Sequence, residues 1–490
     1  MTPPDDGTGP ERVWGRFDDL RSGTALACPT PDRILVADRV QDVADVLDQV
    51  QRATDAGRWA VGYVGYEAAA GLDPDLAVHP QPAGGMPLAW FGICDKPVPV
   101  PAVSDTQQTG PYQADWYPAW TPAGHSDQVD LIRDHVAAGN TFQCNLTVRM
   151  NGRVGGDTRS LYRDLVLRQR GAHNAYLDMG RYVIASASPE LFFERRGDHI
   201  LLRPMKGTSR RGGHPDEDRR LAAELRSSPK ERAENIMIVD LMRNDIGRVA
   251  LTGTVRVPEL LTVERYETVL QMTSTVTAQL RPGVGLTDLF RVLFPCGSVT
   301  GTPKTRSMQI IRSIEPEPRG VYCGAIGLIG PPDEPVRARF NVAIRTAVVD
   351  THTGHAVYGV GGGITWQSQA PAEHAEVLAK TAVLRASDRD IELPGATVSG
   401  SGRGIGNLDL VEWPTLRPRA ESGRRTNAPD LVIGPASDLP RHVVPLLGTP
   451  ASVTHVESVA QRLPHCSTVS TQSVDNRYAP IAVAMGCSKQ

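Results

Sequence analysis

The chain has 490 residues and a formal net charge of −3. This balance argues against a general nucleic-acid or membrane-surface binder, and no apolar run reaches the roughly 18 residues that cross a bilayer. The seven cysteines form no CxxC pair, which excludes the usual zinc and redox spacings. The N-terminus is acidic and proline-rich, unlike a secretory signal, so the sequence predicts a cytoplasmic protein with reduced thiols.

The N-terminal segment, residues 1–97, mixes strand-like and helix-like patterns. Residues 33–57 predict a strand followed by an amphipathic helix that ends at Gly57. Another strand, with glycines where close packing is needed, is predicted in residues 58–74. Residues 98–125 are rich in proline, threonine and glycine and predict a long connector.

The chain changes character twice more. Residues 126–388 alternate strand-like and helix-like segments and carry dense motifs, so they predict the domain in which the chemistry takes place. Residues 389–490 are rich in Ser, Pro, Thr, Arg and Gly, a composition that predicts a largely disordered tail. No lysine lies between Lys380 and Lys489. This excludes a fused pyridoxal-phosphate domain there, because such a domain needs a lysine for its Schiff base.

The first candidate catalytic residue is Lys206, in the sequence RPMKGTSRRG. It is one of only six lysines in a chain whose positive charge comes almost entirely from arginine. Unlike a guanidinium, an ammonium group can lose its proton when it is desolvated or lies near other cations, and only a neutral amine is a nucleophile. Lys206 is therefore a covalent catalyst, an anion-binding charge or a surface residue, and the residue alone does not decide among these roles.

Two predicted helices each carry a pair of glutamates at i,i+3 spacing, which places both carboxylates on one helix face. Glu231 and Glu234 follow a proline that opens the first helix, and Glu373 and Glu376 follow a proline that opens the second. Solvated carboxylates are one interpretation, and an ordinary i,i+4 ion pair between Glu376 and Lys380 is another. The functional interpretation gathers Glu234, Glu373 and Glu376 around Mg²⁺, which prefers oxygen ligands.

A third motif, FPCGSVTGTPK, predicts the start of a helix. Thr302 is a natural N-cap and Pro303 a natural first residue of a helix that runs to about Glu315, and backbone amides at such a terminus favour an anion. Further along, Arg345 lies within the apolar stretch FNVAIRTAVV. A charge in an apolar strand needs a partner, which is either a bound carboxylate or a structural Asp or Glu.

Six motifs occur in the order found in the chorismate-utilising enzymes: RPMKGTSRRG, ERAENIMIVDLMRNDIGRV, FPCGSVTGTPK, YCGAIGLI, AIRTA and GGGI…AEHAEVLAK. The chain resembles this family densely over residues 126–387 and more weakly over AVGYVGYEAAAGLDP. Within the family it most resembles the large subunits of aminodeoxychorismate synthases. The resemblance implies an α/β (α+β) chorismate-binding fold of two packed antiparallel β-sheets surrounded by helices, with chorismate and Mg²⁺ between the sheets.

The resemblance also implies roles for the candidate residues. Glu234 and Glu376 resemble metal ligands, with Glu231 and Glu373 close to the ion. Glu190, in ASASPELFF, resembles the general acid that helps the C4 hydroxyl of chorismate to leave. The positions that resemble substrate-binding residues are Arg345, Tyr322, Gly361, Gly362, Thr300, Lys380 and Thr208, and those that match a family signature of underived role are Gln143, Asn145 and Thr147.

For Lys206 the resemblance implies a covalent role. Relatives that make anthranilate have an alanine at the matching position, whereas aminodeoxychorismate synthases have a lysine. In the latter, the resemblance implies that the amine attacks C2 of chorismate as the C4 hydroxyl departs, after which ammonia adds at C4 and expels the lysine. We therefore expect a Mg²⁺-dependent synthesis of 4-amino-4-deoxychorismate through an adduct at Lys206.

Two positions depart from the family pattern. Gln271 stands where anthranilate- and isochorismate-forming relatives have a histidine, which removes a candidate base, and Gln367 stands where many members have an aspartate. Synthesis of anthranilate or of 2-amino-2-deoxyisochorismate is the alternative activity. The alternative of another class is a non-catalytic regulatory subunit, which Gln367 and the unusual tail would suit.

Ammonia is expected to come from another chain. Glutamine hydrolysis needs a cysteine with a histidine partner. None of the seven cysteines has that setting, and Cys296 and Cys323 lie within motifs of the chorismate site. The sequence therefore predicts a separate glutamine amidotransferase subunit as the partner, and neither nucleic acid nor a membrane.

Overall fold

A computed structural model describes residues 14–82, 84–107, 109–266 and 269–384. These residues belong to one compact unit. The predicted disordered tail, residues 389–490, lies outside the described residues. Within the described ranges, no helix is both long and apolar enough to cross a membrane.

Twenty strands and nine α-helices are formed by the described residues. The strands are β1 (Gly15–Asp19), β2 (Thr24–Cys28), β3 (Arg33–Ala37), β4 (Trp59–Val64), β5 (Ala89–Cys94), β6 (Val98–Pro101), β7 (Tyr112–Pro118), β8 (Gln143–Gly156), β9 (His173–Asp178), β10 (Tyr182–Ser188), β11 (Leu191–Arg196), β12 (His199–Arg203), β13 (Met205–Arg210), β14 (Arg256–Arg265), β15 (Val269–Gln279), β16 (Gly301–Thr302), β17 (Ala325–Ile329), β18 (Ala338–Val342), β19 (Thr346–Asp350) and β20 (His355–Ile364). The helices are α1 (Val43–Asp55), α2 (Ala69–Leu72), α3 (Pro122–Ala137), α4 (Thr158–Gln169), α5 (Pro215–Ser227), α6 (Pro229–Gly247), α7 (Leu286–Leu293), α8 (Lys304–Ile314) and α9 (Ala370–Thr381).

The strands form two ten-stranded sheets. Sheet 1 has the order β16-β8-β20-β19-β10-β9-β1-β2-β6, with β7 also beside β8. Sheet 2 has the order β13-β15-β12-β11-β18-β17-β4-β5-β3, with β14 also beside β15. The strand pairs are antiparallel throughout. Two antiparallel sheets with helices around them confirm the predicted fold class.

An apolar core lies between the sheets and joins them. It contains Trp59 and Ile326 from sheet 2 and Leu177 and Ile184 from sheet 1. Helices α1, α6 and α7 pack on the other face of sheet 2, and α4 packs on sheet 1. Because β4 is covered on both faces, all of its side chains are buried, which explains why its sequence is a continuous apolar run instead of an alternating one.

Several predicted elements are present as expected. β3 and α1 are the strand and helix predicted in residues 33–57. α6 begins at Pro229 and is capped by Ser228, whose side chain accepts a hydrogen bond from the backbone of Glu231. α9 carries the second pair of glutamates on its first two turns.

Two local predictions differ from the structure, and pairing with β8 contributes to both differences. Residues 98–125 are more than a connector, because they contain β6, β7 and the start of α3, and β7 pairs with β8. Thr302 is not a helix cap. It belongs to β16, which pairs with the other end of β8, and α8 begins at Lys304 with Pro303 as its N-cap. The 14-residue strand β8 provides hydrogen-bond partners that local composition does not reveal.

Candidate active site

Lys206 lies on β13 of sheet 2, and its amine approaches the backbone of β20 in sheet 1. A methyl group placed on Gly363 of β20 would lie 2.6 Å from Nζ of Lys206 and 2.1 Å from Nε2 of Gln143. The amine has no hydrogen bond or ion pair with any described residue. This position between the sheets favours the nucleophilic and anion-binding interpretations of Lys206 over a surface role.

The backbone around Lys206 is held from two sides. Gly207 has a φ of 95°, a left-handed conformation that glycine adopts easily, and the pairing of β13 with β15 shifts register there. Gln271 on β15 bridges this irregularity, because its Nε2 donates to the carbonyl of Gly207 at 2.8 Å and its Oε1 accepts from the hydroxyl of Thr208 at 2.9 Å. Asn235 of α6 donates to the carbonyl of Lys206 at 3.2 Å. Gln271 therefore supports the lysine strand in this chain.

Glu190 lies between β10 and β11 and is 3% exposed. Burial raises the pKa of its carboxyl to about 7, although a hydrogen bond with Ser298 and the positive charge of Lys206 act in the opposite direction. Its Oε1 is buried without a hydrogen-bond partner among the described residues. A carboxyl that keeps its proton near neutral pH, close to an amine, is suited to general-acid catalysis.

Three polar side chains alternate on β8 and therefore share one face of the strand. Asn145 lies opposite Gly363 and Thr147 opposite Gly361 in the pairing with β20. Both amide atoms of Gln143, Nδ2 of Asn145 and Oγ1 of Thr147 are buried without a hydrogen-bond partner in the part of the chain described. Because buried polar atoms are nearly always paired, this row fits a polar ligand. The sequence signal was the alternation of polar residues in an otherwise apolar strand.

The four glutamates of α6 and α9 form one electrostatic cluster. Burial is the main cause that raises the pKa of Glu231, Glu234 and Glu373, and the negative charge of at least one other glutamate of the cluster raises each of them further. Glu376 is the exception: burial raises its pKa, but the charge and hydrogen bond of Lys380 outweigh burial and lower the pKa in total. The structure thus brings together carboxylates that lie about 140 residues apart in sequence.

The chemistry of this cluster fits a hard divalent cation. Among the described residues, Oε1 of Glu234 is buried without a hydrogen-bond partner, although Nζ of Lys230 lies 3.9 Å away, and carboxylates that repel one another need a positive charge to remain ionised together. In the described residues, no three His, Cys, Asp or Glu side chains are already arranged around one point as metal ligands. Glu231, Glu234, Glu373 and Glu376 are the residues that would hold Mg²⁺, with carboxylate oxygens as ligands.

Lys380 and Arg345 join the cluster to the glycine strand. Nζ of Lys380 lies 2.6 Å from Oε1 of Glu376 and donates to the carbonyl of Gly361 at 2.6 Å, so the ion pair considered from the sequence is present. Arg345 lies between β18 and β19 with a φ of 53°, not inside a strand, and it donates to the carbonyl of Lys380 at 2.7 Å. Within the described residues Arg345 has no carboxylate partner, which leaves its charge for an anionic ligand.

The remaining predicted substrate residues have different settings. Tyr322 is buried and packs against Gly359 of β20. The hydroxyl of Thr300 donates to the carbonyl of Cys296 at 3.2 Å, and the carbonyl of Thr300 accepts from the backbone N–H of Asn145 at 2.8 Å. Thr300 therefore shapes the site through its backbone. Thr208 and Gln367 are exposed.

The triple glycine of β20 separates two groups of side chains. Lys206 and Gln143 approach Gly363 on one face. On the other face, a methyl group on Gly362 would lie 3.5 Å from Oε2 of Glu373 and 3.7 Å from Nζ of Lys380. Any larger residue here would fill the space between these charges, so the glycines keep the backbone accessible to a ligand.

The sequence matches the family of chorismate binding enzymes over residues 24–386. The chain belongs to this family. It is 34% identical to aminodeoxychorismate synthase component 1 of Escherichia coli K12 over 391 residues, which cover 75% of this chain and 85% of that protein. It is 40% identical to anthranilate synthase component 1 of Streptomyces coelicolor over 279 residues, which cover 56% of this chain and 53%, about half, of that protein. The fold is similar to the crystal structure of anthranilate synthase component I from Streptococcus pneumoniae TIGR4, with a TM-score of 0.65, 25% identity and coverage of 78% of this chain and 95% of that one.

Proposed function

We propose that this chain forms 4-amino-4-deoxychorismate from chorismate and ammonia through a covalent adduct at Lys206. The observation that supports this most directly is the position of the Lys206 amine, which lies between the sheets and is unpaired within the described residues. The buried carboxyl of Glu190 lies close enough to Lys206 for the charge of the lysine to affect the pKa of the carboxyl. Neither an alanine nor an arginine at position 206 would supply an amine that forms a bond to carbon and later leaves.

The proposed reaction consists of two allylic displacements. In the first, the Lys206 amine forms a bond to C2, the two ring double bonds shift, and the C4–O bond breaks as Glu190 gives its proton to the departing hydroxyl, which leaves as water. In the second, ammonia forms a bond to C4, the double bonds shift back, and the C2–N bond breaks with its electron pair returning to Lys206, which leaves as the neutral amine while the new C4 ammonium group returns a proton to Glu190. The ammonia nitrogen therefore arrives para to the carboxylate.

The other residues of the site bind and orient. Arg345, with no carboxylate partner among the described residues, is proposed to pair with a carboxylate of chorismate. The unpartnered polar atoms of Gln143, Asn145 and Thr147 are proposed to hydrogen-bond the polar substituents of the ring. Mg²⁺, when bound by the glutamate cluster, would supply Lewis-acid chemistry and neutralise negative charge.

Ammonia is proposed to come from a separate glutamine-hydrolysing subunit. The five described cysteines are all buried, and burial raises the pKa of Cys94, Cys144, Cys296 and Cys323 to about 12. Such thiols are poor nucleophiles, because the thiolate is the reactive form. The similar proteins of E. coli and S. coelicolor are each named as component 1 of their enzymes, which supports a two-component system.

Product analysis with chorismate, Mg²⁺ and ammonium tests the proposal. We expect 4-amino-4-deoxychorismate from the unmodified chain, and loss of this product in both Lys206→Ala and Lys206→Arg, the second of which keeps the positive charge. Lys96→Ala serves as the matched control, because Lys96 is exposed and pairs with Glu334 at 2.6 Å. Intact-protein mass spectrometry without ammonium should detect a chorismate-derived adduct that Lys206→Arg lacks. Undiminished para product from Lys206→Ala would refute the covalent role.

Anthranilate synthesis is the second candidate function. It is favoured by the 40% identity to the S. coelicolor anthranilate synthase component 1. Against it, the family position that holds a histidine in ortho-forming relatives is occupied here by Gln271, which is hydrogen-bonded at both ends to β13. An ortho-amino product in the assay above would establish this candidate and exclude the first.

A further inference from the structure

We propose that Arg319 and Glu315 are positioning residues that hold the strand and loop under the chorismate site, an inference that rests on the proposed use of chorismate at this site. They lie at the end of α8 and in the segment that follows it, and they are 6% and 5% exposed. Neither residue reaches the groups assigned to the reaction. Both act through hydrogen bonds to the backbone of Val299, Asn145 and Thr147, which lie in or beside the site.

The two side chains form a bidentate buried ion pair. Nε of Arg319 donates to Oε2 of Glu315 at 2.8 Å, and Nη2 donates to Oε1 at 2.7 Å. The guanidinium also lies 4.7 Å above the ring of Tyr66. A buried ion pair of this kind stabilises the folded protein little more than an apolar pair of the same volume. The hydrogen bonds that the pair makes to other groups therefore indicate its role.

Within the part of the chain that the structure describes, the other hydrogen bonds of the pair's charged groups all lead to the site. Nη1 of Arg319 donates to the carbonyl of Val299 at 2.8 Å, directly before Thr300, and Nη2 donates to the carbonyl of Asn145 at 3.0 Å. Oε1 of Glu315 accepts from the backbone N–H of Thr147 at 2.9 Å. The pair therefore fixes the loop of Thr300 and the two β8 residues whose polar side chains lack partners.

The pair is anchored in turn to the N-terminal segment. The carboxylate of Glu67 accepts from the backbone N–H of Arg319 at 2.7 Å and from that of Gly320 at 2.9 Å. Gly320 is two residues before Tyr322, which packs on the glycine strand. One buried network thus sets the relative positions of β8, the Thr300 loop and Tyr322.

A guanidinium is needed for this task because one planar group reaches a carboxylate and two carbonyls in different directions. Arg319→Lys keeps the charge but supplies a single nitrogen, so the Val299 and Asn145 carbonyls lose their shared donor. We expect the KM for chorismate to rise by roughly tenfold or more, since small displacements of binding groups cost this much. The lost hydrogen bonds should also lower the melting temperature.

Arg337→Lys is the matched control. Arg337 is also 6% exposed and donates to the carbonyl of Gly330 and to Asp55, away from the site. Arg337→Lys should lower the melting temperature while changing the KM for chorismate less than about twofold, because the contacts of Arg337 involve no substrate-binding group. Both variants are assayed well below their melting temperatures, and chorismate consumption is the readout, so that the result is valid whichever amination product forms. Equal losses of thermal stability with an unchanged KM in both variants would overturn the inference.

Glu315→Gln keeps the test decisive if Arg319→Lys does not fold. Glutamine retains the shape of Glu315 and one acceptor oxygen, so the Arg319 fork and the N–H of Thr147 compete for it. We expect a rise in KM with kcat reduced less, which a general loss of folded protein would not produce. A fall in kcat alone, in proportion to the folded fraction, would contradict the positioning role.

Discussion

Replacing Glu190 with glutamine should stabilise the protein at alkaline pH while it removes activity. The carboxyl is 3% exposed, and burial, reduced by Ser298 and Lys206, raises its pKa from 4.5 to about 7. A tenfold change in an equilibrium corresponds to about 1.36 kcal/mol, so the raised pKa of Glu190 costs the folded state about 3 kcal/mol at pH 8 and about 1 kcal/mol at pH 5. The smaller cost at pH 5 arises because the unfolded state ionises while folded Glu190 keeps its proton. Glutamine has the same shape and does not ionise, so Glu190→Gln avoids this cost.

The sign of the pH dependence follows from the raised pKa. The proton bound by folded Glu190 contributes stability that is fully present below the unfolded pKa of about 4.5 and is lost as the pH rises to about 7. Thermal melts of both proteins between pH 5 and pH 9 should therefore diverge toward high pH, with Glu190→Gln the more stable. Glu194→Gln is the control of opposite sign. Burial raises the pKa of Glu194, but Arg339 and Arg196 outweigh burial and lower it, so this variant should lose stability at pH 8.

The activity should depend on the protonation of the same Glu190 carboxyl. A general acid must hold its proton. In the unmodified protein, kcat/KM for chorismate should therefore fall about tenfold for each pH unit above 7, when the concentration of free ammonia is held constant. Below pH 7, Glu190→Gln should lower kcat/KM by roughly 10² to 10⁴, the usual value of general-acid catalysis, and this difference should shrink as the pH rises above 7 and the unmodified protein loses its acid. If Glu190→Gln melts at the same temperature as the unmodified protein at pH 8, or if the rate does not decline above pH 7, the raised pKa and the role built on it are wrong.

Two further variants probe the metal cluster and the glycine strand. Glu234→Gln should raise the Kd for Mg²⁺ in calorimetry by roughly tenfold or more, since even indirect partners of a metal contribute this much, whereas exposed Glu224→Gln should leave it unchanged; equal Kd values would remove Glu234 from the ligand set. Gly363→Ala places a methyl group 2.6 Å from Nζ of Lys206 and should lower kcat/KM by about 100-fold, while Gly155→Ala, which meets no atom within 4 Å, should be silent. Full activity in Gly363→Ala would show that the Lys206 amine does not lie against β20.

Much of the fold and the grouping of the site follow from the sequence, because six motifs occur in one order. The strand and helix of residues 33–57 obey local periodicity, and helices α6 and α9 begin at prolines with acidic first turns. These signals act over one or two turns, so local physics determines them. Whether the Glu231 and Glu376 carboxylates interact depends on how the helices pack, which the resemblance supplied and the spacing within each helix did not.

The features that sequence reasoning missed depend on contacts between distant segments. The residues near Thr302 do not indicate that Thr302 pairs with β8, because the partner strand lies about 160 residues earlier in the chain. Likewise, the sequence indicates only that Gln271 replaces a histidine of the family, whereas in the folded chain it bridges the backbone irregularity beside Lys206. The sequence predicts Arg345 inside an apolar strand because neighbouring residues do not reveal the turn at its left-handed φ.

Since Lys206 belongs to one sheet and the glycine strand to the other, the proposed catalysis depends on how closely the two sheets remain in contact. The layer that joins them contains three of the seven tryptophans, Trp14, Trp59 and Trp90, so in a variant that keeps only these three, indole emission should report on the same separation. Mild denaturant that loosens this layer should extinguish turnover together with the change in emission, even where circular dichroism still records intact strands. The rate of the proposed reaction would therefore report on the contact between the two sheets.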